Sequence, residues 1–435
     1  MNYKEAIDFI EAASLFGSKL GLENIRYLLG LLGNPQDELK FVHVAGTNGK
    51  GSVCSYITRA MMEAGYRTGL FTSPYLEKFT ERIQVDLENI PDDRLIEYVI
   101  LLKEKIDVMV ASGRNHPTFF ELNTAISFLY FRDAKCDIVV LETGLGGRLD
   151  STNIIKDPIV SVITAIGLDH TAILGDTISK IAFEKAGIIK PGRPVVVYGD
   201  NPDDAINVIR EFAGNIGSKV IVADMDGISN ISNTDNGYSF DYQGMTGINI
   251  SLLGRHQIKN AVTAIEALKI VRENGFDIEN DDIRKGLELT KWPGRVEILW
   301  TNPTIICDAT HNPHGAAVLR KTLEERFDTG KIVYVMGVMK DKDYESMVAQ
   351  VLYDANAVIT VRPNWHRALG AEELLETVRR YCKNSIAGDT IEEGLKKAME
   401  IAGKDGVICT FGSLYYIADV KRFVREQLSG IQGTD

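Results

Sequence analysis

Short apolar runs alternate with helical stretches along most of the 435-residue chain. Phe41-Val-His-Val-Ala opens the series and is followed by a glycine-rich turn and a helical pattern through Ala64. Further strand candidates lie at 68–72, 137–142, 158–164, 194–198 and 219–223. Strands alternating with helices predict a parallel sheet covered on both faces. Between about 228 and 253 the pattern changes. Tyr238-Ser-Phe-Asp-Tyr and Ile248-Asn-Ile-Ser-Leu alternate in and out between Asn-Gly and Gly-rich turns, which predicts a small antiparallel addition. Ile258, Ala261, Val262, Ile265 and Leu268 then recur at helical spacing, predicting a helix over 257–273. Lys291-Trp-Pro-Gly-Arg295 interrupts regular structure and is the hinge candidate. A second series follows, with strands at Thr304-Ile-Ile-Cys, Lys331-Ile-Val-Tyr-Val-Met, Ala357-Val-Ile-Thr-Val and Gly406-Val-Ile-Cys-Thr. The expected fold class is α/β in two domains. Residues 1–295 form a phosphate-loop, parallel-sheet domain with the antiparallel addition, and residues 296–435 form a Rossmann-like domain.

Composition narrows the class of partner. The net charge of −12 is a poor basis for coating nucleic acid or an anionic membrane surface. The acid is concentrated before Thr301, where 31 basic residues face 41 acidic ones; beyond it 17 face 19. The five cysteines are scattered and form no CxxC pair, so neither a disulfide framework nor a zinc knuckle is indicated. The N-terminus carries acids and no long apolar run, and no segment approaches the ~20 residues of a bilayer span. A cytoplasmic protein is expected, acting on small molecules, with neither nucleic acid nor membrane as partner.

Gly46-Thr47-Asn48-Gly49-Lys50-Gly51-Ser52 lies between a strand and a helix. Glycines let backbone N–H groups close around phosphate oxygens, and the helix N-terminus adds its dipole. Lys50 supplies a charge for β- and γ-phosphates, and Ser52 an oxygen for phosphate or hydrated magnesium. The strict GxxxxGK[ST] pattern fails, because its first glycine would fall on Val44 and Gly51 follows the lysine. The other reading is a glycine turn that merely opens a helix. Glu142 ends an apolar strand and precedes three glycines within four residues, where open α/β sheets place their ligands. It is read either as a metal or substrate ligand or as a helix-capping acid. Asp169-His170 is read as the end of the next strand, so that His170 and Glu142 meet at one cation; a structural histidine is the alternative. Lys185, by composition, is a solvated helical lysine. Phe119-Phe120-Glu121 is either a ring-stacking and amino-pyrimidine-accepting segment or a core pair with a helix-terminal acid.

These segments, with Thr72-Ser73-Pro-Tyr-Leu, Glu81-Arg-Ile, GLDHTAILGDTISKIAFEKAGIIKPG, Leu253-Gly-Arg-His-Gln-Ile-Lys-Asn260, Trp292-Pro-Gly-Arg295, Cys307-Asp308-Ala-Thr-His311-Asn-Pro, Met336-Gly-Val-Met-Lys-Asp-Lys-Asp and Phe411-Gly-Ser-Leu-Tyr, closely resemble the folylpolyglutamate synthase/dihydrofolate synthase family of the Mur ligase group. The resemblance covers nearly the whole chain in order. It implies ATP-dependent ligation of L-glutamate to a dihydropteroate or reduced-folate carboxylate through an acyl phosphate. It further implies two Mg²⁺ ions and carbon dioxide held as a carbamate on Lys185. Glu142, His170 and the carbamylated Lys185 would bind one ion, and Ser73 with Glu142 the other. Asn260, Arg295, Asp308 and His311 match nucleotide-contacting positions, with closure of two domains over ATP. Lys50, Lys185, His170 and Arg295 are the expected catalytic set, and His311 and Ser413 are weak candidates for the glutamate site. A monomer is expected.

Two positions depart from the family pattern: Asp308-Ala-Thr-His311 stands for Asp-Gly-Ala-His, and Tyr75 for a common histidine. A cell-wall Mur ligase is the alternative enzyme, disfavoured because the chain starts almost directly at the phosphate-loop domain. A nucleotide-binding regulator without ligase activity is the alternative class, disfavoured because a pure binder needs no second metal.

Overall fold

The computed structural model describes residues 1–17 and 21–428. The chain forms two compact units, 1–251 with 257–291, and 252–256 with 292–435. The change of unit falls at 291/292, just ahead of the junction expected at 295/296.

In the first unit, eight strands form one sheet: β1 (Phe41–Ala45), β2 (Thr68–Phe71), β3 (Ile83–Val85), β4 (Glu88–Asn89), β5 (Ile138–Glu142), β6 (Val160–Ile163), β7 (Val195–Val197) and β8 (Val220–Val222). Their order is β4-β3-β2-β5-β1-β6-β7-β8, parallel except for the antiparallel edge made by β3 and β4. β1, β2, β5, β6 and β7 are buried along their whole length, as both-sided cover requires. One face packs on helices Asp92–Ala111 and Phe119–Asp133 through Leu95, Tyr98, Leu122 and Phe128; the other packs on Ile178–Ala186 and Asp203–Asn215 through Ile181, Ala182, Ala205 and Ile209. The antiparallel addition is a three-stranded sheet of β9 (Ile228–Thr234), β10 (Gly237–Tyr242) and β11 (Met245–Ile250), in the order β11-β10-β9.

The helix that follows the phosphate loop, Lys50–Glu63, is buried along most of its length and packs on Asn280–Leu289. Their closest approach is at Gly286, where an added Cβ would stand 2.4 Å from the Ala60 Cα. Backbone cannot yield as a flexible side chain does, so Gly286→Ala should force the helices apart and cost about 1–3 kcal/mol. A melting temperature unchanged from the parent would contradict this packing.

In the second unit, β12 (Glu297–Thr301), β13 (Thr304–Cys307), β14 (Ile332–Met336), β15 (Ala357–Thr360), β16 (Ser385–Ala387) and β17 (Val407–Phe411) form a sheet ordered β12-β13-β17-β14-β15-β16. All neighbours are parallel except β12 with β13. Its core includes Ile306, Leu319, Tyr334, Met347, Val358 and Phe411.

Candidate functional site

β1 lies between β5 and β6, with Val44 opposite Glu142 and Ala45 opposite Ile163. The phosphate loop therefore leaves the middle of the sheet, flanked by the segments that leave β5 and β6. This corrects the expectation that Glu142 and His170 end adjacent strands. β6 ends at Ile163, and His170 sits seven residues later as the left-handed N-cap of the short helix Thr171–Leu174. His170 is exposed, with Nε2 3.9 Å from Asp169 Oδ1. Among the described residues, no three His, Cys, Asp or Glu side chains converge as a metal site.

The other first-unit candidates do gather at the loop. Thr47 and Asn48 N–H both donate to Ala165 O, and the Thr164 hydroxyl donates to Asn48 O at 2.8 Å, which ties the loop to the segment after β6. Gly49 caps the following helix at φ 86°, and an added Cβ would lie 2.7 Å from Asn260 Oδ1. Glycine is required there on both counts. The first N–H groups of that helix, from Lys50 on, have no intrahelical acceptor, as at any helix start. Lys50 Nζ donates to Gly46 O at 3.2 Å and Thr47 O at 3.3 Å, and stands 3.9 Å from Glu142 Oε1. Glu142 is buried, and its Oε2 accepts the Ser73 N–H at 3.2 Å.

Lys185 is buried, not solvated. Its Nζ donates to Gly46 O at 2.7 Å, and burial, assisted by the nearby charge of Lys50, lowers its pKa to about 7. The reading from composition fails because helix Ile178–Ala186 turns this position inward beneath the loop. The Ser52 hydroxyl is buried, with no hydrogen-bond partner among the described residues. An orphaned hydroxyl, a backbone cradle and a buried carboxylate are the oxygen-rich chemistry that suits a nucleotide and hydrated Mg²⁺.

Several residues that organise the site carry no obvious signal of chemistry. Asp150, eight residues after Glu142, accepts from Gly144 N–H at 2.9 Å and Leu145 N–H at 2.8 Å and so fixes the glycine loop. It also accepts from Thr152, whose hydroxyl meets His43 Nε2 at 2.9 Å. Burial raises the Asp150 pKa and, with Lys190 nearby, lowers that of His43 to about 3, so His43 is neutral at any physiological pH. Glu81 accepts from the backbone N–H groups of Leu76, Glu77 and Lys78, clamping the segment after Ser73. Glu121 forms a capping box with Thr118 and accepts from Asn24 at 3.2 Å. It is thus a helix-terminal acid, and Phe119 and Phe120 pack on Phe79 and Phe71.

Within the second unit, Asp308 accepts from Val296 N–H at 2.9 Å and Thr310 N–H at 2.8 Å. His311 Nδ1 lies 2.8 Å from Ala309 O, and Arg295 Nη1 donates to Gly294 O at 3.1 Å. Ser413 is buried, and its hydroxyl accepts the Tyr415 N–H at 3.2 Å. Asp308, His311 and Ser413 follow β13 and β17, neighbouring parallel strands, on one edge of the sheet. The Thr310 in this segment leaves the local backbone closed, since Gly412 N–H donates to Thr310 O at 3.0 Å.

Residues 44–268 match the family model for the Mur ligase middle domain, and residues 294–414 that for the Mur ligase glutamate ligase domain. A Bacillus subtilis dihydrofolate synthase/folylpolyglutamate synthase is 36% identical over 427 residues, covering 97% of this chain and 98% of the relative. The structure of a Mycobacterium tuberculosis folylpolyglutamate synthase complexed with ADP and AMPPCP superposes with a TM-score of 0.89 at 29% identity, covering 98% of this chain and 100% of the other. An Escherichia coli protein in complex with DHPP and ADP gives a TM-score of 0.84 at 30% identity, covering 97% of each chain.

Proposed function

The chain belongs to the folylpolyglutamate synthase/dihydrofolate synthase family of Mur ligases, and from that premise we propose that it joins L-glutamate to the carboxylate of dihydropteroate or a reduced folate, converting ATP to ADP and phosphate. The observation that carries this reading is the grouping of Lys50, Ser52, Glu142 and Lys185 at one glycine loop. The acceptor carboxylate attacks the γ-phosphate, ADP leaves, and the amino group of glutamate then displaces phosphate from the acyl phosphate.

Two anions must meet in the first step, so positioning and positive charge are most of the catalytic task. The loop backbone from Gly46 to Ser52 binds the phosphates, and Lys50 places its ammonium against their charge. Asn260, Arg295, Asp308 and His311 are assigned to the nucleotide. Ser73 and Glu142 would hold one Mg²⁺; Glu142 and Lys185 as its carbamate would hold the other, with His170, exposed beyond β6, as the remaining expected ligand. Bound magnesium supplies charge neutralisation for the transferred phosphoryl group. Carbamylation supplies what the unmodified site lacks, an anionic oxygen ligand at the buried Lys185 position. Among the described residues no helix is long and apolar enough to cross a membrane.

Chelation with excess EDTA should reduce turnover to background, and restored Mg²⁺ should recover it; full activity after complete chelation would contradict the metal assignment. Glutamate-dependent phosphate release, assayed with each acceptor, tests the reaction itself. Release with dihydropteroate alone assigns dihydrofolate synthesis, release with a reduced folate assigns tail extension, and release with neither removes the ligase reading.

A further inference from the structure

The segment that leaves β6, Thr164-Ala165-Ile166-Gly167, forms one wall of the phosphate loop, and its backbone groups divide between two sides. β6 lies between β1 and β7. On the β1 side, Thr164 N–H donates to Ala45 O at 2.8 Å, and Ala165 O accepts the Thr47 and Asn48 N–H groups at 2.8 and 3.1 Å. The Thr47 hydroxyl closes the same seam, donating to Gly167 O at 3.0 Å and accepting Gly167 N–H at 3.1 Å. Loop and wall touch so closely that an added Cβ at Gly46 would overlap the Thr164 hydroxyl.

Thr164 O and Ile166 N–H are left for the β7 side, where the ladder has ended: the register of β6 with β7 stops at Ile163 and Val197. Buried backbone groups without a partner are costly. Tyr198 N–H still takes Ile163 O at 2.9 Å. Beyond it, one side chain takes both remaining groups. Asn201, in the turn ahead of helix Asp203–Asn215, accepts Ile166 N–H on Oδ1 at 2.7 Å and donates from Nδ2 to Thr164 O at 3.2 Å. It is 6% exposed. A side-chain amide carries both the acceptor and the donor that these groups demand, whereas an ionised carboxylate lacks the donor.

The wall is thus held from the front by the phosphate loop and from behind by Asn201. Both side-chain hydrogen bonds of Asn201 go to the wall and none to the loop. Without the amide, Thr164 O and Ile166 N–H must turn toward water. Any such turn carries along Ala165 O and the Thr164 hydroxyl, the groups that hold the backbone of Thr47 and Asn48 in place. A phosphate cradle made of backbone N–H groups binds only while those groups converge. We propose that Asn201 is a positioning residue for nucleotide binding, acting through residues 164–166 on the backbone of the phosphate loop; the inference rests on the ligase reading for the presence of ATP at that loop.

The test is calorimetric titration of ADP with Mg²⁺ into the full chain and three variants, with steady-state kinetics alongside. Asn201→Leu keeps the bulk and deletes both hydrogen bonds. Asn201→Asp keeps the acceptor for Ile166 N–H and loses the donor to Thr164 O, and it reads the same effect should the leucine variant fail to fold. Asp200→Asn, at the exposed neighbour paired with Lys259, is the control for disturbance of the turn. Melting temperatures establish which variants are folded at the assay temperature. In Asn201→Leu the affinity for ADP should fall about tenfold and KM for ATP should rise to match. Asn201→Asp should fall between it and the parent, and Asp200→Asn should stay within about twofold of the parent. KM for L-glutamate, and kcat at saturating ATP, should also stay within about twofold. A residue that only stabilises the fold would lower the melting temperature and the active fraction without moving KM. ADP affinity unchanged in a folded Asn201 variant, KM values for ATP and glutamate that rise together, or an equal loss in Asp200→Asn would overturn the positioning role. A parent that binds no ADP would instead overturn the nucleotide reading itself.

Discussion

Lys185→Ala is expected to lower kcat by about 10³-fold or more while the protein still folds and binds ATP. The side chain is buried beneath the phosphate loop, where it donates to Gly46 O. An unmodified ammonium there would place a second cation beside Lys50, and burial already disfavours it. Those two causes, burial first, bring its pKa down to about 7. A lysine half-deprotonated near neutrality is a competent nucleophile for carbon dioxide. Its lone pair forms the N–C bond, one amine proton leaves to solvent, and the product carries an anionic pair of oxygens. Turnover in buffer stripped of carbon dioxide should therefore fall, and bicarbonate should restore it, more readily as pH rises through 7. Protein equilibrated with ¹³C-bicarbonate should show a carbamate carbon that is missing in Lys185→Ala. Full turnover in that variant would end the carbamate assignment.

The same residue predicts a stability trend for the unmodified protein. Unfolded, the lysine has an ordinary pKa of about 10.4; folded, it titrates near 7. Between those values the unfolded chain binds more protons than the folded one, so stability rises with pH across that window. Lys185→Met should flatten the rise between pH 7 and pH 9 when urea midpoints are compared in carbon-dioxide-free buffer.

Lys50→Ala carries the second large effect, a fall in kcat/KM for ATP of about 10²–10³-fold. The ammonium sits over the loop carbonyls and 3.9 Å from the Glu142 carboxylate. Its removal deletes the point charge facing the phosphates. Arginine should rescue little, because a planar fork does not fit a position shaped for a compact ammonium. A second consequence separates this account from a simple loss of phosphate binding. Lys50 is one of the two causes that lower the Lys185 pKa, so Lys50→Ala should move the pH for half-carbamylation upward. An unchanged ¹³C-carbamate titration in that variant would show that the two lysines are not coupled.

The path from sequence to structure was clearest where burial is two-sided. β1, β5, β6 and β7 are mostly apolar and buried throughout, and each lies within the segment read as a strand. Very short or exposed strands escaped notice: β4 has two residues, β16 three, and β12 is a half-exposed antiparallel edge. Chain order also misled. Glu142 and the segment after β6 are consecutive along the sequence, but β1 inserts between their strands. Strand order is set by crossovers that no local pattern records. Lys185 shows the limit most plainly: helix periodicity does not say which face a short polar helix buries. The phosphate loop was legible because glycine and lysine placed between a strand and a helix have few other uses. Asp150 and Glu81 were not, since a carboxylate that ties down backbone looks in sequence like any surface acid.

The most direct measurement is mass spectrometry of the acceptor after incubation of the protein with ATP, Mg²⁺ and L-glutamate, run for dihydropteroate and for a reduced folate. With at least one acceptor, a product heavier by a single glutamyl residue is expected, with one ADP formed per new amide bond and no product when ATP or Mg²⁺ is left out. Acceptor recovered unchanged in both cases, or glutamylation that proceeds without ATP, would contradict the assignment of this chain as an ATP-dependent glutamate ligase.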